Sequence, residues 1–190
     1  MPIDEPTPGA TLDDELSAIS LENRRLLDRV AEMEQRFTEL AKLHAASMRL
    51  HAPSDAAGVL TAIQEVVVNI VGCEQFTLWE IAAPGNTLAL ALSLGVEPPP
   101  TAPSTTVALT ARTGVRYVAP DGLSGDLEAP TACIPLKLAG ETRGVLSLFQ
   151  LMPQKKALMP VDYQIFDLLT TQAARALEAS RVLRGPGAAP

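Results

Sequence analysis

The side chains that most often do chemistry are scarce in this chain: two cysteines, Cys73 and Cys133, and two histidines, His44 and His51. The cysteines have no CxxC spacing, and each sits among apolar neighbours (Ile70-Val71-Gly72-Cys73; Ala132-Cys133-Ile134-Pro135). That setting predicts reduced, buried thiols rather than a metal knuckle or a disulfide framework. His44 and His51 fall one heptad apart on a long helical pattern, so in a coil they would stack on their counterparts and could bind a metal or sense pH. With no cysteine or second ligand pair beside them, solvated imidazoles are expected and no metal site. No Ser/His/Asp set, carboxylate pair or phosphate loop is visible, and the lone glycine of Ser93-Leu94-Gly95 reads as a strand end. The expectation is a protein without catalytic residues and without a cofactor.

Composition narrows the class further. A formal charge of −7 argues against a nucleic-acid partner, which needs a basic face. No apolar run reaches the length of a membrane span. The start, MPIDEPTPGATLDDE, is acidic and proline-bearing, unlike a secretory signal, so a cytoplasmic location is expected. Apolar residues make up 47% but aromatics only 4%, so the core must be built from Leu, Val, Ile and Ala. At 190 residues the chain has room for one domain with extensions.

Those extensions are legible. Residues 1–10 read as a disordered tail, and Thr11 as the cap of a long helix whose first turn carries Asp13, Asp14 and Glu15. Over residues 11–44 the apolar positions alternate four and three apart. Leu16, Asn23, Val30 and Phe37 occupy a, and Leu12, Ile19, Leu26, Met33 and Leu40 occupy d. That predicts a coiled-coil seam, and a lone Asn at a favours two parallel strands in fixed register. Arg29 at g would reach Glu34 at e of the other chain, while Glu22 and Leu27 are not charge-matched. An amphipathic helix lying on its own domain is the alternative.

Residues 45–184 read as an α+β domain, and 185–190 as a second frayed tail. Ala52-Pro53-Ser54 breaks the first helix and Ser54 caps a second, 55–71, ended by Gly72. FTLWEI (76–81) is a strand, Pro84-Gly85-Asn86 a turn, and TLALALSLGV (87–96) a strand with all four leucines on one face. After the proline-rich break EPPPTAPS come a short helix at 105–113, a short strand at 115–118 and the hairpin TACIPLKLAGETRGVLSLFQL. Its strands, 132–138 and 144–151, are joined by a turn at 139–142 and are apolar on both faces, as in the centre of a sheet covered on both sides. Pro160 and Asp162 then open a last helix, expected to run unbroken to about Arg184.

In order and spacing these residues resemble the GAF domains of signalling proteins. The resemblance lies in Ala111-Arg112-Thr113-Gly114, Tyr117-Val118-Ala119-Pro120-Asp121, Ala132-Cys133-Ile134-Pro135-Leu136 and Gly144-Val145-Leu146, then in Asp162 heading a helix with Leu168-Leu169, Gln172-Ala173 and Ala176-Leu177. It implies a GAF-like antiparallel sheet covered by terminal helices, preceded here by the coiled-coil helix, with any ligand pocket on the other face. Members commonly dimerise through the terminal helices and their coiled-coil extensions. Of the residues that cyclic-nucleotide-binding members carry, Lys155 and Asp162 are retained, while Gln154, Leu158 and Tyr163 depart from the pattern. Bilin attachment would need a cysteine and histidine between Ser93 and Ala132, where there are none. Members that reduce methionine sulfoxide use cysteines on pocket loops, whereas Cys133 falls in a strand and Cys73 at a helix end.

Trp79, Thr110, Tyr117 and Cys133 are the candidate ligand-pocket residues, with core filling as the alternative. The dimerisation set is Leu16, Ile19, Asn23, Leu26, Val30, Met33, Phe37 and Leu40. The function expected from the sequence is a non-enzymatic, homodimeric adaptor that binds other signalling or regulatory proteins. The rival is a sensor whose bound cyclic nucleotide or metabolite shifts the terminal helices.

Overall fold

A computed structural model describes residues 8–51, 55–82, 87–120 and 126–184. The turn expected at Pro84-Gly85-Asn86 and the cap expected at Ser54 lie outside the described residues. The chain divides into two compact units between Ala41 and Lys42.

The first unit is the greater part of helix α1 (Pro8–His51). The helix begins at Pro8, ahead of the expected cap at Thr11 and inside the segment expected to be an unstructured tail. From Leu12 to Ala41 nearly every side chain is exposed. The seam residues are exposed too, from 46% for Val30 to 74% for Phe37. The polar positions stabilise the helix locally, through Glu32–Arg36 at 2.6 Å and Gln35–Glu39 at 3.0 Å, both spaced i, i+4.

The second unit is the α+β domain. The last turns of α1 supply Ala46 and Leu50 to its core. Helix α2 (Ala56–Glu65) is capped by Asp55, whose carboxylate accepts from the Gly58 amide at 2.6 Å. It continues as a wider π-helical stretch, Val66–Val71, in which every residue but Asn69 is β-branched. Branching at Cβ crowds side chains three and four apart, and the wider turn relieves that crowding. Gly72, at φ 75°, ends it in the left-handed region.

Five antiparallel strands follow: β1 (Cys73–Ala82), β2 (Thr87–Leu94), β3 (Tyr117–Val118), β4 (Ala132–Leu138) and β5 (Glu141–Leu151), with helix α3 (Thr105–Thr113) between β2 and β3. Their spatial order is β2-β1-β5-β4-β3, so both strands of the apolar hairpin are interior, as their two-sided apolarity implied. Cys73 opens β1 rather than ending a helix, and only Tyr117 and Val118 of the expected third strand pair with β4. The hairpin turn is tighter than expected. Leu138 pairs with Glu141, leaving only Ala139 (φ 51°) and Gly140 (φ 87°) in the turn. Two successive positive φ angles match the twist of the flanking strands.

The expected single leucine face of β2 is split. Leu92 pairs with Leu78, but the next pairing is Leu90 with Trp79, so Ala91 is an extra residue on β2. One extra residue reverses the face of everything beyond it. Leu92 and Leu94 therefore pack into the main core, while Leu88 and Leu90 pack on the opposite side with Trp79.

The last helical segment is interrupted. Helices α4 (Pro160–Leu168) and α5 (Ala174–Arg184) are joined by a π-helical stretch, Leu169–Ala173. There the hydroxyls of Thr170 and Thr171 donate to the carbonyls of Phe166 and Asp167 four residues back. Those bonds compete for the acceptors that α-helical amides would use, and the winding loosens. Asp162, 1% exposed, accepts from the Met159 amide at 2.6 Å and from Lys155 Nζ at 2.7 Å; that ammonium also donates to the Val71 carbonyl. The two residues retained from the nucleotide-binding pattern thus hold the start of α4 to the end of the π-helical stretch that follows α2.

Candidate functional site

The sheet's two faces differ in chemistry. Toward the helices lie Phe76, Leu78, Ile134, Leu136, Leu146 and Leu148, packed with Ile63, Ile165, Phe166 and Leu169. On the α3 side the register places a row of polar side chains across all five strands: Ser93 beside Thr77, Thr77 beside Ser147, Ser147 beside Cys133, and Cys133 beside Tyr117. Thr77 and Ser147 are fully buried. Burial requires their hydroxyls to find partners, and they do. Trp79 Nε1 donates to Thr77 Oγ1 at 3.0 Å, and the Cys133 thiol to Ser147 Oγ at 3.5 Å.

Helix α3 covers part of this face. Ser104 caps it by accepting from the Val107 amide, and Gly114 ends it at φ 64°. Its inward residues are Val107 and Thr110. The four candidate pocket residues are brought together here. Trp79 and Cys133 join Val107 and Val145 in one buried cluster, Tyr117 packs against it, and Thr110 lies 2% exposed with its hydroxyl hydrogen-bonded to the Cys133 thiol. They meet as packed neighbours. The cavity on this face holds about 80 Å³ and is lined by Thr77, Trp79, Ser104, Val107, Glu128 and Phe149 among others. Of the four candidates only Trp79 borders it. Sites for drug-sized ligands run from roughly 300 Å³ upward, so this volume suits a few water molecules. Thr77, Ser147 and Glu128 escaped the sequence reading. Thr77 and Ser147 did carry a signal, as hydroxyls flanked by apolar residues at the same depth of two adjacent strands.

Burial pushes the Cys133 thiol up to about 11, against the milder opposing effect of hydrogen bonds with Ser147 and Thr110. Burial likewise raises Cys73 to about 11, although it donates to the Gln75 and Gln150 carbonyls. At neutral pH both are thiols rather than nucleophilic thiolates. Cys73 belongs to the main core and Cys133 to the α3-side cluster, so the sheet separates them. His44 and His51 are exposed, and His51 Nδ1 lies 2.7 Å from the Ser47 carbonyl. Among the described residues no helix is long and apolar enough to cross a membrane, and no group of three metal-ligating side chains forms.

Comparison with known proteins follows this architecture. No curated protein sequence matches the chain. Among solved structures, the GAF domain of an Acinetobacter phosphoenolpyruvate-protein phosphotransferase superposes with a TM-score of 0.62 at 11% identity, covering 77% of this chain and 97% of that one. The GAF domain of a putative sensor histidine kinase from Pseudomonas syringae pv. tomato gives 0.53 at 20% identity, covering 81% and 94%. A free methionine-R-sulfoxide reductase from Neisseria meningitidis, solved with its substrate, gives 0.54 at 18% identity, covering 74% and 89%. At these identities the likeness is one of fold. The fold therefore serves signalling proteins and at least one enzyme. The GAF domain model itself matches residues 55–179, well over half of the sequence. The chain belongs to the GAF domain family.

Proposed function

We propose that this chain is a non-enzymatic, homodimeric regulatory adaptor, in which α1 forms a parallel two-stranded coiled coil and the GAF domain offers binding surface to other signalling proteins. The observation that carries the reading is the unburied seam. Leu12, Leu16, Ile19, Leu26, Val30, Met33, Phe37 and Leu40 recur at coiled-coil spacing and are all between 46% and 74% exposed in the single chain. A second copy in register covers that stripe, sets Asn23 against its counterpart and brings Arg29 to Glu34 of the other chain. The packed α3-side cluster and the two protonated thiols support a role without catalysis.

Sedimentation equilibrium tests the dimer. The wild-type chain sediments as a dimer, and Asn23→Lys or Phe37→Glu yields monomers with the GAF domain still folded by circular dichroism. Variants that stay dimeric would move the interface away from the coil.

A second reading, a small-molecule sensor, draws on the small cavity beside Thr77, Ser104 and Glu128. A ligand there has to displace the Pro100–Ser104 segment. Thermal shift against cyclic nucleotides and common metabolites separates the two, because saturable stabilisation favours the sensor.

A further inference from the structure

The chain has only four lysines, and three of them, Lys42, Lys155 and Lys156, line a single groove of about 560 Å³ in the GAF unit. Lys155 is committed to Asp162 and the Val71 carbonyl. Lys42 and Lys156 are exposed and make no ion pair among the described residues. The apolar part of the lining includes Val68, Ile70, Met152 and Met159. The only acid in the lining is Asp162, which is buried and neutralised by Lys155. A chain of net charge −7 thus carries a groove whose lining combines cationic and apolar side chains.

We propose that this groove docks an acidic segment of a partner protein, its carboxylates on Lys42 and Lys156 and its interspersed apolar side chains against Val68, Ile70, Met152 and Met159. The proposal rests on the adaptor reading and names the partner's chemistry. Charge complementarity selects the occupant: an acidic peptide gains at the two lysines, and a basic one is repelled. A peptide suits a groove of about 560 Å³ whose lining includes four apolar side chains better than a small anion does, because only a peptide can use the lysines and the apolar residues together. The amides of Asn69 and Gln154, also in the lining, can hydrogen-bond an extended or helical backbone. In the coil register Lys42 falls at f, away from the seam, so pairing through α1 leaves it available.

The test is a selection from displayed random peptides of about twelve residues on the full chain, with counter-selection on K42E/K156E. Enriched peptides are expected to carry several Asp or Glu residues spaced among apolar ones. A synthesised winner, followed by fluorescence anisotropy, is expected to lose about 10- to 100-fold in affinity on K42E/K156E and on K42A/K156A, to keep its affinity on K42R/K156R, and to weaken as salt rises. Both lysines are exposed, so the variants should melt like the wild type. Winners without acidic residues, equal binding to the charge-reversed variant, or no enrichment would overturn the proposal. So would lysine-dependent binding of phosphatidylserine vesicles or inorganic phosphate without an acidic peptide winner. Sedimentation of the same samples separates the two readings. A dimer with a failed selection discards the groove and leaves the adaptor with another surface, whereas a monomer that selects acidic peptides discards the coil and keeps the groove.

Discussion

The two faces of the sheet are built to different rules. Toward the helices, all five strands contribute aliphatic or aromatic side chains to one continuous core, β2 and β3 only partly buried ones. Toward α3, a row of hydroxyls and a thiol crosses the strands under a small cluster of Trp79, Val107, Cys133 and Val145. The polar groups on the first face include the Cys73 thiol, which donates to the Gln75 and Gln150 carbonyls, and, at its margin, Asp162 paired with Lys155. On the second, Trp79, Ser147 and Thr110 each find a partner, while the buried Ser93 hydroxyl at the end of the row has none among the described residues. One face stabilises the fold. The other is packed by side chains that leave a cavity of about 80 Å³.

Truncation at matched burial breaks the comparison most directly. Phe166→Ala, on the helix side, is expected to cost about 3–5 kcal/mol in denaturant unfolding. Val107→Ala, on the α3 side, should cost only about 1–2 kcal/mol, because two methyl groups rather than a phenyl ring are lost, and from a smaller cluster. Comparable losses would mean that the α3 side is as much a stabilising core as the other.

Gly144→Ala acts on the backbone both faces share. A Cβ at that position would stand 2.6 Å from the Trp79 carbonyl oxygen of β1, a backbone atom that cannot swing aside. We expect a loss of about 2 kcal/mol, read by the same unfolding experiment.

The thiols sharpen the comparison, since each face buries one. Each is raised from 9.0 to about 11 in the folded chain. Between those values the unfolded chain releases thiol protons that the folded one retains, so stability falls as pH rises from 9 toward 11. Cys73→Ala and Cys133→Ala should each flatten that decline, and to a similar degree, despite their different surroundings.

The smallest effect belongs to the hairpin turn. Ala139 holds φ 51°, a conformation that Asn tolerates better, so Ala139→Asn should stabilise by about 0.5–1 kcal/mol without altering either face.

How much of this could be read in the sequence follows from the range of the interactions involved. Element types and order were legible because they rest on local periodicity: the 4-3 alternation of α1, the two-sided apolarity of β4 and β5, and Pro160 ahead of α4. The split of the leucine face was not, because Leu88-Ala89-Leu90-Ala91-Leu92 alternates perfectly and only pairing with β1 reveals the extra residue. The π-helical stretches were missed for a similar reason, as the apolar stripe looks alike with either winding. The four candidate pocket residues could be gathered from the sequence, but whether they enclose space depends on Pro100, Val107 and Leu127, which arrive from three separate segments. The lysine groove joins position 42 to positions 155 and 156, a proximity that no local pattern encodes.

The Lys155 ammonium has a consequence for motion. It donates to the last carbonyl of the π-helical stretch before β1 and to the carboxylate that caps α4, while the Met152 amide donates to the Gly72 carbonyl. The segment between β5 and α4 is therefore fastened at both ends to the turn that leads into β1. A loop held in this way has no independent opening reaction of its own. When it loosens, the first turn of α4 and the entry to β1 must loosen with it, so that this corner of the domain exchanges its amide protons as a single cooperative unit.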